Sequence, residues 1–302
     1  MVSRDYKNAV LLTALASLIW GTSFPGAKWG LSYAGNDVFF LWLRFVVASV
    51  ITLSIVLGFK KFSFSVLREP AIWLVGGLNA AGFVLQYVGL TLTSASKTAL
   101  LVDINVVGVA IISYFAFKER LTKIQLAGVL LGSLGVVLVT TDKGLSFNVD
   151  ELVGDILVYL AGWSWAFFIV LSKKMMKKFN GIEISSGAIT ACTISLIPAV
   201  VYLYLTGADF TLEPMGWIGV LYLGLFCTSI ATLLWALGLE GVSATGSAAI
   251  MLIEVVTALI ISIGLLEESL RTVAIIGGLC VLAAIYLVAS SGKVEAGVVK
   301  TT

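Results

Sequence analysis

Residues 89–121, GLTLTSASKTALLVDINVVGVAIISYFAFKERL, lie over residues 238–270, GLEGVSATGSAAIMLIEVVTALIISIGLLEESL, without a gap. Continued to residues 139 and 288, the two stretches are identical at 17 of 51 positions, at a constant offset of 149. Self-similarity at a fixed offset over such a length marks an internal duplication. Upstream, Trp20 and Lys28 fall on Trp165 and Lys173 at an offset of 145. The duplication therefore takes in most of the chain.

Composition says what is duplicated. Of 302 residues 59% are apolar and 12% charged, with a mean hydropathy of +1.06, whereas a soluble domain carries about 25% charged residues. A hydrocarbon core about 30 Å thick takes about 20 mostly apolar residues per helix. Ten such stretches fit the chain, near 8–30, 37–58, 71–92, 95–116, 122–141, 151–173, 182–206, 214–239, 243–266 and 271–290. The predicted fold is an all-α polytopic membrane protein with ten transmembrane helices in two five-helix repeats, 1–141 and 151–290, followed by a disordered cytoplasmic tail at 291–302. Five is odd, so the second repeat enters the membrane from the opposite face and the two are inverted.

Arg4 and Lys7 ahead of an apolar stretch resemble the start of a signal peptide. The stretch is long, contains Pro25 and Lys28 and lacks a small-x-small cleavage site, so it is assigned as the first span. Basic residues favour the cytoplasmic side of short loops. With the N-terminus inside, 14 Lys and Arg fall on cytoplasmic segments and 4 on the other side. The expected location is the cytoplasmic membrane, multi-pass, with both termini cytoplasmic.

Much chemistry is excluded. There is no histidine, which removes histidine metal sites, Ser-His triads and histidine relays. Cys192, Cys227 and Cys280 are scattered without CxxC spacing. No GxxxxGK[ST] occurs, and the short connections leave no room for a soluble catalytic domain. No cofactor and no metal are expected. The net charge of +2 is spread over loops and suggests no nucleic-acid partner.

Inverted repeats are the architecture of secondary transporters, with the site near the midplane between the halves. Into that plane the duplication brings Asn105 opposite Glu254, with Asp103 on apolar Leu252. On a continuous helix Asp103 and Asn105 stand about 200° apart, so only one faces a cavity squarely. An ionisable group at the bilayer centre costs from about 2.5 to more than 10 kcal/mol and usually marks a pathway. Glu254 and Asp103 are accordingly candidates for proton or ion coupling, since a desolvated carboxyl binds its proton more tightly. The competing account is a structural role in which Arg44 pairs with Asp103 or Glu254.

Asn79, Phe83 and Gln86 share one face of the third span, as do Thr228, Thr232 and Trp235 in the eighth. Together with Asn105, Glu254 and Trp163 they are candidate substrate-binding residues for a neutral or zwitterionic organic molecule. The competing account has these amides and hydroxyls bonding neighbouring helices. Trp20, Pro25 and Lys28 are candidates for gating and cavity, Pro25 with Gly21 and Gly26 bending the first helix. Lys28 and Lys97 either attract a carboxylate or snorkel to the interface. Gly128, Gly132 and Gly135 form a small face for packing the fifth helix, suited to the tenth.

IWGTSFPGAK (19–28), WLRFVVAS (42–49) and above all LTSASKTALLVDINVVGVAIISYFAFKERLTKIQLAGVLLGSLGVVLV (92–139) resemble the EamA family of the drug/metabolite transporter superfamily. The resemblance implies a ten-helix carrier of small metabolites, amino-acid exporters among its members. It also implies a central cavity lined by the first, third, fourth, sixth, eighth and ninth helices. Where relatives carry Ser-Pro, this sequence has Ile104-Asn105 and Ile253-Glu254. The expectation is a secondary transporter, exporting amino acids or related small metabolites, with protons as a candidate second partner, as a monomer or weak homodimer. The alternative is a non-transporting membrane scaffold or receptor subunit. An intramembrane enzyme using Asp103 and Glu254 as a dyad lacks a partner motif.

Overall fold

The structure is a computed structural model and describes residues 6–58, 64–103, 105–117, 123–140, 149–242, 244–267 and 271–291. The expected disorder of the tail lies, from residue 292 on, outside the described residues. Backbone groups in lipid must bond within the chain, and the described residues are nearly all helical. The helices are α1 Tyr6–Gly21, α2 Ser23–Leu31, α3 Asp37–Gly58, α4 Pro70–Leu92, α5 Ala95–Val102, α6 Asn105–Phe117, α7 Lys123–Thr140, α8 Val149–Met175, α9 Gly181–Leu205, α10 Pro214–Tyr222, α11 Ala231–Leu239, α12 Ala244–Ile250, α13 Leu252–Leu265 and α14 Thr272–Ser291. A π-helical stretch, Leu223–Ile230, joins α10 to α11.

Among the described residues, eight helical runs are long and apolar enough to cross a membrane. They begin at Tyr6, Asp37, Pro70, Ala95, Val149, Gly181, Pro214 and Gly246. The expected fifth and tenth spans are occupied by α7 and α14, which pack along one another, and Gly128, Gly132 and Gly135 of α7 are buried. Phe115, Leu130, Ile260 and Leu265 point outward, while Thr13, Ser17, Thr52 and Ser96 are buried. A soluble protein has the reverse arrangement; here the outward side chains face lipid.

The packing repeats itself with the halves exchanged. α1 lies on α11 as α8 lies on α4, and α3 crosses α9. The first half of the fourth span, α5, meets the second half of the ninth, α13, while α12 meets α6. Such end-to-end reversal is what an inverted repeat requires. The loops obey the same symmetry. On one rim the backbone of Tyr33 to Gly35 bonds to Thr211 and Glu213, with an isolated bridge between Ala34 and Leu212. On the opposite rim Lys178, between α8 and α9, forms an ion pair with Glu69, between α3 and α4.

Two lysines show the duplication at atomic detail. Lys28 Nζ donates to the carbonyls of Leu90 and Thr93 at 2.6 and 2.7 Å. Lys173 Nζ donates to those of Leu239 and Val242 at 2.6 and 2.7 Å. Each closes the C-terminal end of the third span of its own half, where the helix leaves carbonyls unbonded and the dipole favours a cation.

Two close contacts between the halves are equivalent, and each is made by one glycine. A Cβ on Gly21 would stand 2.4 Å from Thr257 Cβ and 2.6 Å from the Glu254 carbonyl oxygen. The equivalent contact joins Ala166 to Gly108, where a Cβ would stand 2.8 Å from that of Ala166. The small partner has changed sides, and the approach of the first and ninth, and of the fourth and sixth, spans is kept.

Candidate functional site

A cavity of about 70 Å³ lies between the halves. A water molecule needs about 10–15 Å³ of such space, so several fit. The wall is built from the first span (Trp20, Ser23, Phe24), the third (Asn79, Phe83, Gln86), the fourth (Val102, Asp103, Asn105), the sixth (Trp165, Phe168, Ile169), the eighth (Thr228, Thr232, Trp235) and the ninth (Met251, Glu254). Arg44 of α3 completes it.

Four of these spans are irregular where they meet the cavity. The first breaks at Thr22, the fourth at Asp103, the ninth at Met251, and the eighth widens into the π-helical stretch. Irregular backbone at membrane depth is tolerated where it lines a cavity. The break in the fourth span also corrects an expectation. Asp103 ends α5 and Asn105 opens α6, so the 200° separation of a continuous helix does not apply, and both side chains line the same cavity.

Aromatic side chains tie the wall together. Trp20 Nε1 donates to the Cys227 carbonyl at 2.7 Å, and its duplicate Trp165 donates to Asn79 Oδ1 at 3.1 Å. Trp235, 1% exposed, donates to Ser247 Oγ at 3.0 Å and stacks on Phe168. Phe83 meets Trp165 edge-on with ring centres 5.0 Å apart. With their N–H groups engaged, these rings present apolar faces to whatever occupies the space.

The charged groups are arranged otherwise than in an ion pair. Arg44, 1% exposed, donates from Nε to Thr228 Oγ1 and from Nη1 to the Tyr87 hydroxyl, both at 2.6 Å. Its guanidinium lies 4.8 Å from the centre of the Phe83 ring. Among the described residues no carboxylate comes within 4 Å of it, so the expected pairing with Asp103 or Glu254 is absent. Asp103 Oδ1 accepts from Asn105 Nδ2 at 3.4 Å. Asp103 Oδ2, Glu254 Oε2, Asn105 Oδ1 and Gln86 Oε1 are buried without a hydrogen-bond partner. A wall with one cation and several acceptors still to be satisfied is equipped to take hold of a small polar molecule.

Residues 7–141 and 152–290 each match the EamA-like transporter family. The chain belongs to that family. Similar proteins include an uncharacterized transporter of Archaeoglobus fulgidus, 29% identical over 92% of this chain and 96% of its own length. The uncharacterized transporter YyaM of Bacillus subtilis is 26% identical over 84% and 85%. A crystal structure of a protein 18% identical superposes with a TM-score of 0.71 over 93% of this chain and 96% of that one, a likeness of fold alone.

This EamA-family chain is thus a multi-pass membrane transporter and not an enzyme. Its cavity gathers Asn79, Phe83, Gln86, Asn105, Thr232, Trp235, Glu254, Asp103 and Trp20 from the sequence candidates. Four candidates, Trp163, Pro25, Lys28 and Lys97, lie elsewhere. Trp163 is outside the lining, its ring 3.4 Å from where a Cβ on Gly108 would stand. One residue-pair further along α8, Trp165 takes the cavity position. Pro25 is buried in the first turn of α2, where a missing N–H leaves no helical bond unmade. Lys28 is held by the end of α4, and Lys97 pairs with Glu151 at 2.8 Å. Arg44 was legible only as a counter-ion; its place on the wall follows from α3 facing the π-helical stretch. Among the described residues no group of three metal-ligating side chains occurs.

Proposed function

We propose that this EamA transporter carries amino acids or related small metabolites across the cytoplasmic membrane by alternating access, in the direction of export. The supporting observation is the cavity between inverted halves, whose wall combines an unpaired cation, two carboxyls and aromatic faces. The inverted halves can rock about that cavity to open it to either rim in turn. Asn79, Phe83, Gln86, Asn105, Thr232, Trp235 and Glu254 line the substrate space, and Glu254 with Asp103 provides the proton-handling element. Trp20 and the break at Thr22 form the movable part of the first span. Both termini lie in the cytoplasm, and the working unit is a monomer or weak homodimer.

The test is flux of radiolabelled amino acids in proteoliposomes, with and without a pH gradient. Saturable exchange that unlabelled substrate accelerates from the opposite side is expected. A scaffold or receptor subunit gives no flux with any substrate, and that result would overturn the proposal.

A further inference from the structure

We propose that Arg44 binds the carboxylate of the transported molecule, so that the cavity selects small zwitterions held between Arg44 and the Asp103–Glu254 wall. The inference rests on the cavity being the substrate site. A guanidinium stays charged in any protein environment, and a buried cation without a countercharge is strongly disfavoured. Elsewhere the chain supplies strong acceptors to its buried and half-buried cations. Lys97 has Glu151 at 2.8 Å and Asp155 at 3.6 Å, while Lys173 has two helix-end carbonyls. Arg44 has two hydroxyls and an aromatic face. Its missing negative charge is supplied by what enters the cavity.

The geometry suits that task. Tyr87 and Thr228 engage Nη1 and Nε, which fixes the plane of the guanidinium. Donors on Nη2 and the second Nη1 hydrogen remain for the two oxygens of a carboxylate, the arrangement in which Arg binds most strongly. The unpartnered oxygens of Asp103 and Glu254 border the same space and accept from an ammonium group. A ligand with both groups satisfies both walls; one lacking either leaves a buried charge alone.

The test is calorimetric binding to the purified full chain in nanodiscs. A panel of proteinogenic L-amino acids is followed, for the tightest binder, by its carboxamide and its 2-deamino acid. Losing a charge-assisted hydrogen-bonded pair predicts at least about tenfold weaker binding of the carboxamide to wild type. Arg44→Gln is expected to bind acid and carboxamide alike, while Arg44→Lys retains part of the preference. Should Arg44→Gln fail to fold, Tyr87→Phe, which releases Nη1, is expected to weaken the acid several-fold and leave the carboxamide unchanged. Equal binding of acid and carboxamide by wild type, with amino acids still bound, overturns the role of Arg44 alone. Failure of every amino acid to bind overturns the substrate reading and this inference with it.

Discussion

Asn105 Nδ2 donates to Asp103 Oδ1 at 3.4 Å, although two residues so spaced on a regular helix face nearly opposite ways. With the helix broken at Asp103 both line the cavity, and Asn105 Oδ1 is left for a ligand. Asn105→Leu removes the amide and fills part of the space. Flux in proteoliposomes is expected to fall by more than about tenfold, the value of one buried polar contact or more. Thermal unfolding in detergent should also shift downward, because the buried Asp103 Oδ1 loses its hydrogen-bond donor, a loss of about 1–3 kcal/mol.

Glu254 borders the cavity with the Asp103 carboxyl and the Cys227 thiol as titratable neighbours, and Arg44 is the cation on the wall. If proton and substrate alternate on Glu254, substrate accumulates in the more acidic compartment, because protons leaving it drive the exchange. Glu254→Gln should abolish accumulation driven by a pH gradient while leaving substrate-for-substrate exchange. An unchanged pH profile in that variant would exclude Glu254 from coupling.

Gly21 marks the tightest approach of the first and ninth spans. Gly21→Ala places a methyl 2.4 Å from Thr257 Cβ, and overpacking of this kind costs about 1–3 kcal/mol. Adding Thr257→Gly reproduces the pattern found in the other half, where Ala166 faces Gly108. The double variant is expected to recover part of the loss in thermal unfolding. Recovery stays partial because the Glu254 carbonyl oxygen also lies 2.6 Å from the new methyl.

Lys28 and Lys173 hold equivalent helix ends. Replacing either by Met removes two hydrogen bonds from a cation, and bonds of that kind contribute about 1.5–3 kcal/mol each. Both variants should lower the midpoint of thermal unfolding. Lys173→Met failing to destabilise would show that the carbonyls of Leu239 and Val242 find water instead.

The duplicated stretch carried most of the fold in advance, because an offset of 149 and an odd number of spans leave little choice of topology. The same offset brought Asn79, Gln86, Asn105, Trp235 and Glu254 to one cavity. Other features were hidden for physical reasons. Helix breaks at Asp103 and Met251 lack a proline or glycine at the break itself, so periodicity ran straight through them, whereas the break at Thr22 directly follows Gly21, where a bend was expected. Trp163 and Trp165 differ by about 200° on α8, and only packing against Gly108 decides which one faces inward. Arg44 looked like a counter-ion because a lone cation in a span usually is one.

The most direct measurement of the central claim is two-sided labelling of a cavity cysteine. In a chain with Cys192, Cys227 and Cys280 replaced, Thr232→Cys is treated with a membrane-impermeant thiol reagent applied to one face of oriented proteoliposomes at a time. Alternating access between inverted halves predicts reaction from either face, with added substrate changing the balance between them. Reaction from one face only, indifferent to substrate, would contradict it.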